Sequence, residues 1–270
     1  MTLGPNRDWD ARAYHQVTQP HAAWGASVLD RLQLQGNETV LDAGCGSGRV
    51  TAGLLDRLPS GHVIAADLSA AMLTEARTTL AAYGERVSYL EVDLLQIHQA
   101  LHHNAVDAIF STATFHWIAD HAALFKKLHD VLRPGGQMVA QCGGGANLAR
   151  FMSTADTVAQ RKPFRDTLHG QPLWRHQYGA DETRQRLHQA GFEPVEVWLE
   201  DSPQHFDDAP ALAAFARTVV LSRHVAALPE SLRDDFVTTV VQAIAEREGS
   251  YSLDYVRLNI DAWRPARRGC

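Results

Sequence analysis

The sequence has no long unbroken apolar run, no excess of positive charge and few cysteines. It holds 25 Lys and Arg residues against 31 Asp and Glu residues, for a formal net charge of −6. Such a chain offers no basic field to a nucleic-acid backbone, which argues against a nucleic-acid partner. No stretch reaches the length of a membrane helix, and the first residues lack the apolar region of a secretory signal. We therefore expect a cytoplasmic protein with neither a membrane nor a nucleic-acid partner.

Disulfide bonds are also not expected. The three cysteines, Cys45, Cys142 and Cys270, form no close pair, and their odd number suits reduced thiols in the cytosol. Internal repeats and low-complexity segments are absent. With 270 residues, 45% of them hydrophobic, the chain can bury a sizeable core. We predict a single domain over residues 1–270, present as a monomer or weak homodimer.

Short β-rich runs alternate with helical patterns between about residues 38 and 142, which is typical of an α/β fold with a parallel sheet. The alternation then lapses in two helical insertions, at about 146–180 and 209–248, which we predict to form a cap. The predicted strands are 39–42, 62–66, 87–91, 106–110, 137–141, 195–199 and 255–260.

The segment from Thr39 to Gly48 is the most informative motif, because a strand runs into an acid and then into alternating glycines. Glycine accepts backbone angles barred to other residues and lets a ligand approach the main chain. The carboxylate of Asp42 would repel a pyrophosphate and attract an ammonium group. Together with the G-x-G-x-G spacing, this argues against a dinucleotide site, which has G-x-G-x-x-G. The predicted contacts in this turn are Asp42, Gly44, Cys45, Gly46 and Gly48.

This segment resembles the first motif, E/DxGxGxG, of the class I S-adenosylmethionine-dependent methyltransferases. The resemblance implies a Rossmann-like, doubly wound sheet of seven strands, mostly parallel, in which the last strand inserts antiparallel. It also implies S-adenosyl-L-methionine as cofactor and S-adenosyl-L-homocysteine as product.

Further cofactor contacts are expected where strands end, because ligands of open α/β sheets lie outside the carboxyl ends of the strands. Asp67 ends the second strand, and its carboxylate is suited to accept hydrogen bonds from ribose hydroxyls; an N-cap role is the alternative. The resemblance places Asp93 near the adenine amino group. The remaining candidates are Leu68 and Met72 beside the adenine, the backbone amide of Leu94, and Ser111.

A second motif, Phe110 to Trp117, follows the fourth strand. It resembles the corresponding segment of the trans-aconitate, juvenile hormone acid and malonyl carrier-protein methyltransferases, which esterify carboxylates. A carboxylate is ionised at neutral pH, so its methylation requires alignment and exclusion of water rather than a base. His116 and Trp117 are therefore the candidates for positioning the acceptor. A packing role for Trp117 in the core is the alternative.

Three further sequence features bear on the site. Residues 1–30 resemble the lid of this family, with Tyr14 and Gln19 as the candidates that close over the site. Gly143 ends the fifth strand and is expected to leave room for a substrate; a flexible exit into the insertion is the alternative. His98 and His102 share a helical face, but without a carboxylate or cysteine partner they do not predict a metal site.

The favoured interpretation is a methyltransferase that converts a small carboxylic acid into its methyl ester. One alternative is methylation of carbon, nitrogen or hydroxyl oxygen in another small metabolite, with His116 removing a proton. Another is a non-catalytic protein that binds S-adenosylmethionine, because binding motifs do not prove turnover.

Overall fold

A computed structural model describes residues 25–171 and 176–266 of the chain. The predicted lid residues Tyr14 and Gln19 lie outside the described residues. The strands are β1 Thr39–Ala43, β2 His62–Asp67, β3 Val87–Glu91, β4 Val106–Thr112, β5 Leu132–Gly143, β6 Val195–Asp201, β7 Gln204–His205, β8 Ser252–Leu253 and β9 Val256–Trp263.

Seven of these strands form one sheet, in the order β3-β2-β1-β4-β5-β9-β6. Strands β1 to β5 pair in parallel. Strand β9 lies between β5 and β6 and runs antiparallel to both. The order reverses at β1 and β4, which is where a doubly wound sheet places its ligand. The predicted seven-stranded Rossmann-like sheet is confirmed.

Helices cover the sheet and extend beyond it. The α-helices after residue 29 are α1 Arg49–Asp56, α2 Ala70–Thr79, α3 Ile97–Ala100, α4 His121–Val131, α5 Ala149–Ala159, α6 Arg165–Leu168, α7 Ala180–Ala190, α8 Ala209–Phe215, α9 Ser222–Ala227 and α10 Glu230–Glu248. Residues 25–29 are also helical. Among the described residues, no helix is long and apolar enough to cross a membrane.

The described residues bury three apolar clusters. Two of them lie against the sheet: one includes Leu41 and Ile109, and the other includes Val40 and Phe110, so neighbouring residues of one strand point to opposite faces. The third cluster belongs to residues 148–168 and 206–255, which we call the helical module. This module has its own apolar core, which includes the fully buried side chain of Phe236.

The structure departs from the predicted elements at two places. Strand β5 begins at Leu132, five residues before the predicted start, and its pairing with β4 shifts register between Val106 and Ala108. The segment from Arg133 to Gly136 lies inside this irregular strand. The two-residue strands β7 and β8 pair with each other, and they are too short to produce a pattern in the sequence.

Candidate active site

The glycine turn after β1 is tied to the end of β2 by main-chain hydrogen bonds. The N–H groups of Gly44 and Cys45 both donate to the carbonyl of Ala66, at 2.8 and 3.0 Å. Gly44 has φ +89°, and a Cβ there would lie 2.1 Å from Oγ1 of Thr114. Glycine is therefore required at position 44 both by its backbone angle and by the side chain packed against it.

Gly46 borders open space on the side where a Cβ would stand. It has φ +54°, and a Cβ built on it meets nothing within 4 Å among the described residues. Its N–H donates to Oδ2 of Asp67 over 2.9 Å. Main chain that lies bare beside a fixed carboxylate fits a nucleoside ligand that must approach the backbone closely.

Asp67 is held by hydrogen bonds on both of its carboxylate oxygens. While Oδ2 accepts from Gly46, Oδ1 accepts from the N–H of Ser69 at 2.9 Å. Burial raises the pKa of Asp67, and these backbone hydrogen bonds oppose the rise. A carboxylate has about four lone-pair sites, so the Asp67 carboxylate is oriented by its backbone hydrogen bonds and can still accept a further one. Beside it, Leu68 is 61% exposed, the largest exposed fraction among the large hydrophobic residues that the structure describes, so its side chain is accessible to a ligand.

Asp42 lies in β1, just before the turn, and is 2% exposed. The hydroxyl of Thr51, on α1, donates to its Oδ2 at 2.7 Å. Burial raises the pKa of Asp42 to about 7, opposed by the bond from Thr51 and assisted by the nearby carboxylate of Asp67. Burial likewise raises the pKa of the Cys45 thiol well above its ordinary value, which argues against a nucleophilic role for this thiol.

The other predicted cofactor residues are mostly engaged in packing or capping. Asp93 caps a short 3₁₀ turn by accepting from the N–H of Leu95 at 2.9 Å, and Leu94 is 5% exposed. Met72 is also 5% exposed. The hydroxyl of Ser111 donates to the carbonyl of Ala43 at 2.6 Å and thereby ties β4 to β1. Cofactor contact by these residues remains a prediction.

The 3₁₀ turn Phe115–Trp117 follows β4 at the same edge of the sheet. Nδ1 of His116 accepts a hydrogen bond from the N–H of Gly143, at the end of β5, over 3.2 Å. The carbonyl of His116 accepts from the N–H of His176 at 2.9 Å. Two neighbouring parts of the fold therefore fix the position of this turn.

A second histidine also supports this turn. A ring nitrogen of His121, Nε2, lies 2.9 Å from the carbonyl of Phe115, so it bears the hydrogen and donates. Burial lowers the pKa of His121 to about 4, which keeps the ring neutral. His121 is thus a structural support for the turn.

The surroundings of Gly143 are more crowded than the sequence predicts. The space where a Cβ would stand is filled by Asn147, at 2.5 Å from Nδ2, and by Gln177, at 3.2 Å from Oε1. The side of Gly143 where a Cβ would stand is therefore occupied by other side chains, and contact between a substrate and Gly143 remains a prediction. What Gly143 supplies is its N–H, which orients His116.

Trp117 is partly exposed, and its ring has two polar neighbours. The ring centroids of His116 and Trp117 are 5.3 Å apart. The guanidinium carbon of Arg223, on α9 of the helical module, lies 4.8 Å from the Trp117 ring centroid. Arg223, Thr51 and Thr114 are not among the residues predicted from the sequence. Of the three, only Thr51 has a position that indicates a role, because it lies in the first turn of the helix that follows the glycine motif.

No group of three His, Cys, Asp or Glu side chains is placed to hold a metal ion in residues 25–171 and 176–266.

Known proteins are similar to this chain in sequence and in fold. A model of the methyltransferase domain family matches residues 40–136. A trans-aconitate 2-methyltransferase of Azoarcus sp. (strain BH72) is 30% identical over 230 residues, covering 82% of this chain and 83% of that protein. A second, from Acidovorax sp. (strain JS42), is 26% identical over 88% of this chain and 90% of that protein.

Solved structures give the same fold. Phosphoethanolamine N-methyltransferase 2 of Haemonchus contortus, in complex with S-adenosyl-L-methionine, has a TM-score of 0.61 at 19% identity, covering 94% of this chain and 56% of that chain. A putative methyltransferase of Bacillus halodurans C-125 has a TM-score of 0.63 at 19% identity, covering 90% and 100% of the two chains. The chain belongs to the class I S-adenosylmethionine-dependent methyltransferases, in the group related to trans-aconitate 2-methyltransferase. It is a methyltransferase whose cofactor is S-adenosylmethionine.

Proposed function

We propose that the enzyme transfers a methyl group to a carboxylate oxygen of a small molecule and forms a methyl ester. The observation that carries this proposal is the hydrogen bond from Gly143 to Nδ1 of His116. Since Nδ1 accepts, the hydrogen of the neutral ring lies on Nε2. Held in this tautomer, His116 is suited to donate a hydrogen bond to an acceptor oxygen rather than to remove a proton. An acceptor that needs no deprotonation matches such a site.

A carboxylic acid is that kind of acceptor, because its pKa of about 4 leaves it ionised at neutral pH. When bound, S-adenosylmethionine supplies an electrophilic methyl group on a sulfonium sulfur and leaves as S-adenosylhomocysteine. The work of the chain is then to align the carboxylate oxygen and to exclude water. We assign the alignment to the Phe115–Trp117 turn, with Nε2–H of His116 as donor and Trp117 as a flat surface.

The cofactor is held, on this proposal, by the residues after β1 and β2. Gly46 leaves main chain accessible, Asp67 accepts from the ribose hydroxyls, and exposed Leu68 covers the adenine. We assign the ammonium group to Asp42, whose carboxylate would stabilise it by charge. The names of the similar trans-aconitate 2-methyltransferases support a carboxylic acid as acceptor.

Assay of product chemistry tests the proposal. The enzyme is incubated with S-adenosylmethionine carrying an isotopically labelled methyl group and a panel of metabolite carboxylic acids that includes trans-aconitate. Mass spectrometry identifies the labelled product, which is then treated with mild alkali. We expect an ester that releases labelled methanol and the free acid. An alkali-stable product would reassign the enzyme to carbon, nitrogen or hydroxyl methylation. The absence of any labelled product would favour a non-catalytic binding protein.

We propose further that the helical module and residues 1–30 cover the acceptor, with Tyr14 and Gln19 closing over it. The contact between Arg223 of the module and Trp117 supports the first part. Hydrogen exchange of residues 9–24 should slow more with S-adenosylhomocysteine plus acceptor than with S-adenosylhomocysteine alone. Equal exchange in both states would show that this segment is not a lid.

A further inference from the structure

Arg223 contacts Trp117, at the proposed acceptor site, although it belongs to a helix outside the sheet. It lies on α9 of the helical module, and its guanidinium carbon is 4.8 Å from the ring centroid of Trp117. The same ring is 5.3 Å from that of His116. A cation, an indole and an imidazole that donates from Nε2 therefore meet at the turn after β4. All three are suited to bind oxygen anions or the flat groups that carry them.

The partial burial of Arg223 strengthens the attraction of its charge for an anion. Burial lowers the pKa of Arg223, although a guanidinium remains charged at neutral pH. Attraction between opposite charges grows as water is removed from around them, so a half-buried guanidinium binds a carboxylate more strongly than an exposed one does. Its fork of N–H donors also matches the two oxygens of a carboxylate.

Another arginine of the same module, Arg217, lies in an exposed ion pair. Arg217 forms an ion pair with Asp234, and the side chains of the two residues are 41% and 86% exposed. Such an exposed pair is screened by solvent and contributes little. Arg217 carries the same charge but points to another part of the module surface, so it serves as a matched control.

We propose that Arg223 binds a carboxylate of the acceptor and thereby selects anionic acceptors. This inference rests on the proposed function, in which the acceptor is a carboxylic acid. Binding by the guanidinium fork draws charge away from the oxygens it holds, so the bound group is a carboxylate other than the one that is methylated. Arg223 then anchors one end of the acceptor while the turn at His116 aligns the reacting end.

Binding measurements test this directly. The wild-type protein and the variants Arg223→Met, Arg223→Lys and Arg217→Met are saturated with S-adenosylhomocysteine. Calorimetry then follows the binding of trans-aconitate and of mono-, di- and tricarboxylic acids of similar length. Loss of a buried charge-assisted hydrogen bond corresponds to about tenfold or more in affinity. We expect that loss in Arg223→Met, a smaller loss in Arg223→Lys, and wild-type affinity in Arg217→Met.

The acceptor itself supplies a readout that a merely structural role would not change. Replacing the anchored carboxylate by a carboxamide should weaken binding to the wild type, yet make little difference to Arg223→Met. In turnover, Arg223→Met should raise KM for the acceptor more than it lowers kcat. The affinity for S-adenosylhomocysteine should stay the same in all variants.

The outcomes separate this inference from the proposed function. If no acid of the panel binds the wild-type complex, or if Arg223→Met and Arg223→Lys both bind the acids as the wild type does, the role of Arg223 is refuted. Ester formation with unchanged KM in these variants would refute it as well and leave the proposed function standing. An alkali-stable product together with weakened acid binding in Arg223→Met would refute ester formation and retain the carboxylate anchor.

Discussion

The backbone N–H of Gly143 and Nδ1 of His116 are joined by a hydrogen bond of 3.2 Å. It links the end of β5 to the turn that follows β4. The bond fixes both the orientation of the imidazole and the nitrogen that carries its hydrogen. Whether this histidine is a donor or a base therefore becomes a question that substitutions can answer.

His116→Gln should reduce methyl transfer only slightly, because glutamine retains an N–H donor. Trp117→Ala should reduce kcat strongly, by up to about a hundredfold, because misplacement of an acceptor by an ångström costs that much. Trp198→Ala, at a tryptophan 37% exposed on edge strand β6, is the matched control and should stay near wild-type activity. A collapse of the rate in His116→Gln, with the pH profile of a lost general base, would contradict the donor role.

Asp67→Ala should weaken binding of S-adenosylhomocysteine at least about tenfold, because the ribose loses charge-assisted hydrogen bonds worth about 1.5–3 kcal/mol each. Titration calorimetry measures the affinity. Asp107→Ala is the control, since Asp107 also accepts from a backbone amide, that of Thr39 at 2.8 Å, but where β1 begins rather than where it ends. Unchanged affinity in Asp67→Ala would remove this residue from the site.

Binding of the cofactor should release protons at neutral pH. Burial raises the pKa of Asp42 to about 7, so this carboxyl group is largely protonated below that pH. A bound ammonium group lowers the pKa again, and affinity for S-adenosylhomocysteine should therefore rise as the pH increases from about 5 to 7. Calorimetry in buffers of different ionisation enthalpy counts the protons. The same proton release in Asp42→Asn would assign it to another group.

The same carboxyl group affects stability without ligand. Because the folded state holds its proton more tightly than the unfolded chain does, the free energy of unfolding should fall as the pH rises from 3.8 to about 7. Urea unfolding of Asp42→Asn should show less of this decline than the wild type. Parallel curves for the two proteins would indicate that the carboxyl group is not buried without its ligand.

Two alanine substitutions in the glycine turn should have opposite consequences. Gly46→Ala should lose cofactor affinity but fold, at a cost of about 1–2 kcal/mol for a left-handed alanine, because its Cβ enters open space. Gly44→Ala should unfold more readily, because its Cβ would collide with Thr114. Thermal unfolding and calorimetry measure both effects. Tight cofactor binding by Gly46→Ala would show that the ligand does not occupy this space.

The sequence predicted the strands well because each is short, apolar and bounded by turn residues. The first was placed at 39–42 and is Thr39–Ala43. The antiparallel insertion of β9 came from the family resemblance, because periodicity contains no information on strand direction. Arg223 could not be predicted, since it lies more than a hundred residues from Trp117 and nothing in a short cap helix indicates which ring its side chain contacts. The raised pKa of Asp42 could not be predicted from the sequence either, because it depends on how deeply the fold buries this carboxyl group.

The position of β9 in the sheet also determines when, during synthesis, the protein can complete its fold. Strands β5 and β6 cannot join the same sheet until residues 256–263 have left the ribosome. Before then, β5 has an open edge, and an open apolar edge is a template for strands of other nascent chains. Gly143, which orients His116, ends that strand and pairs with Arg257 of β9. The proposed acceptor site is thus completed after the proposed cofactor site, and slow translation of residues 256–263 would lengthen the interval in which chains aggregate.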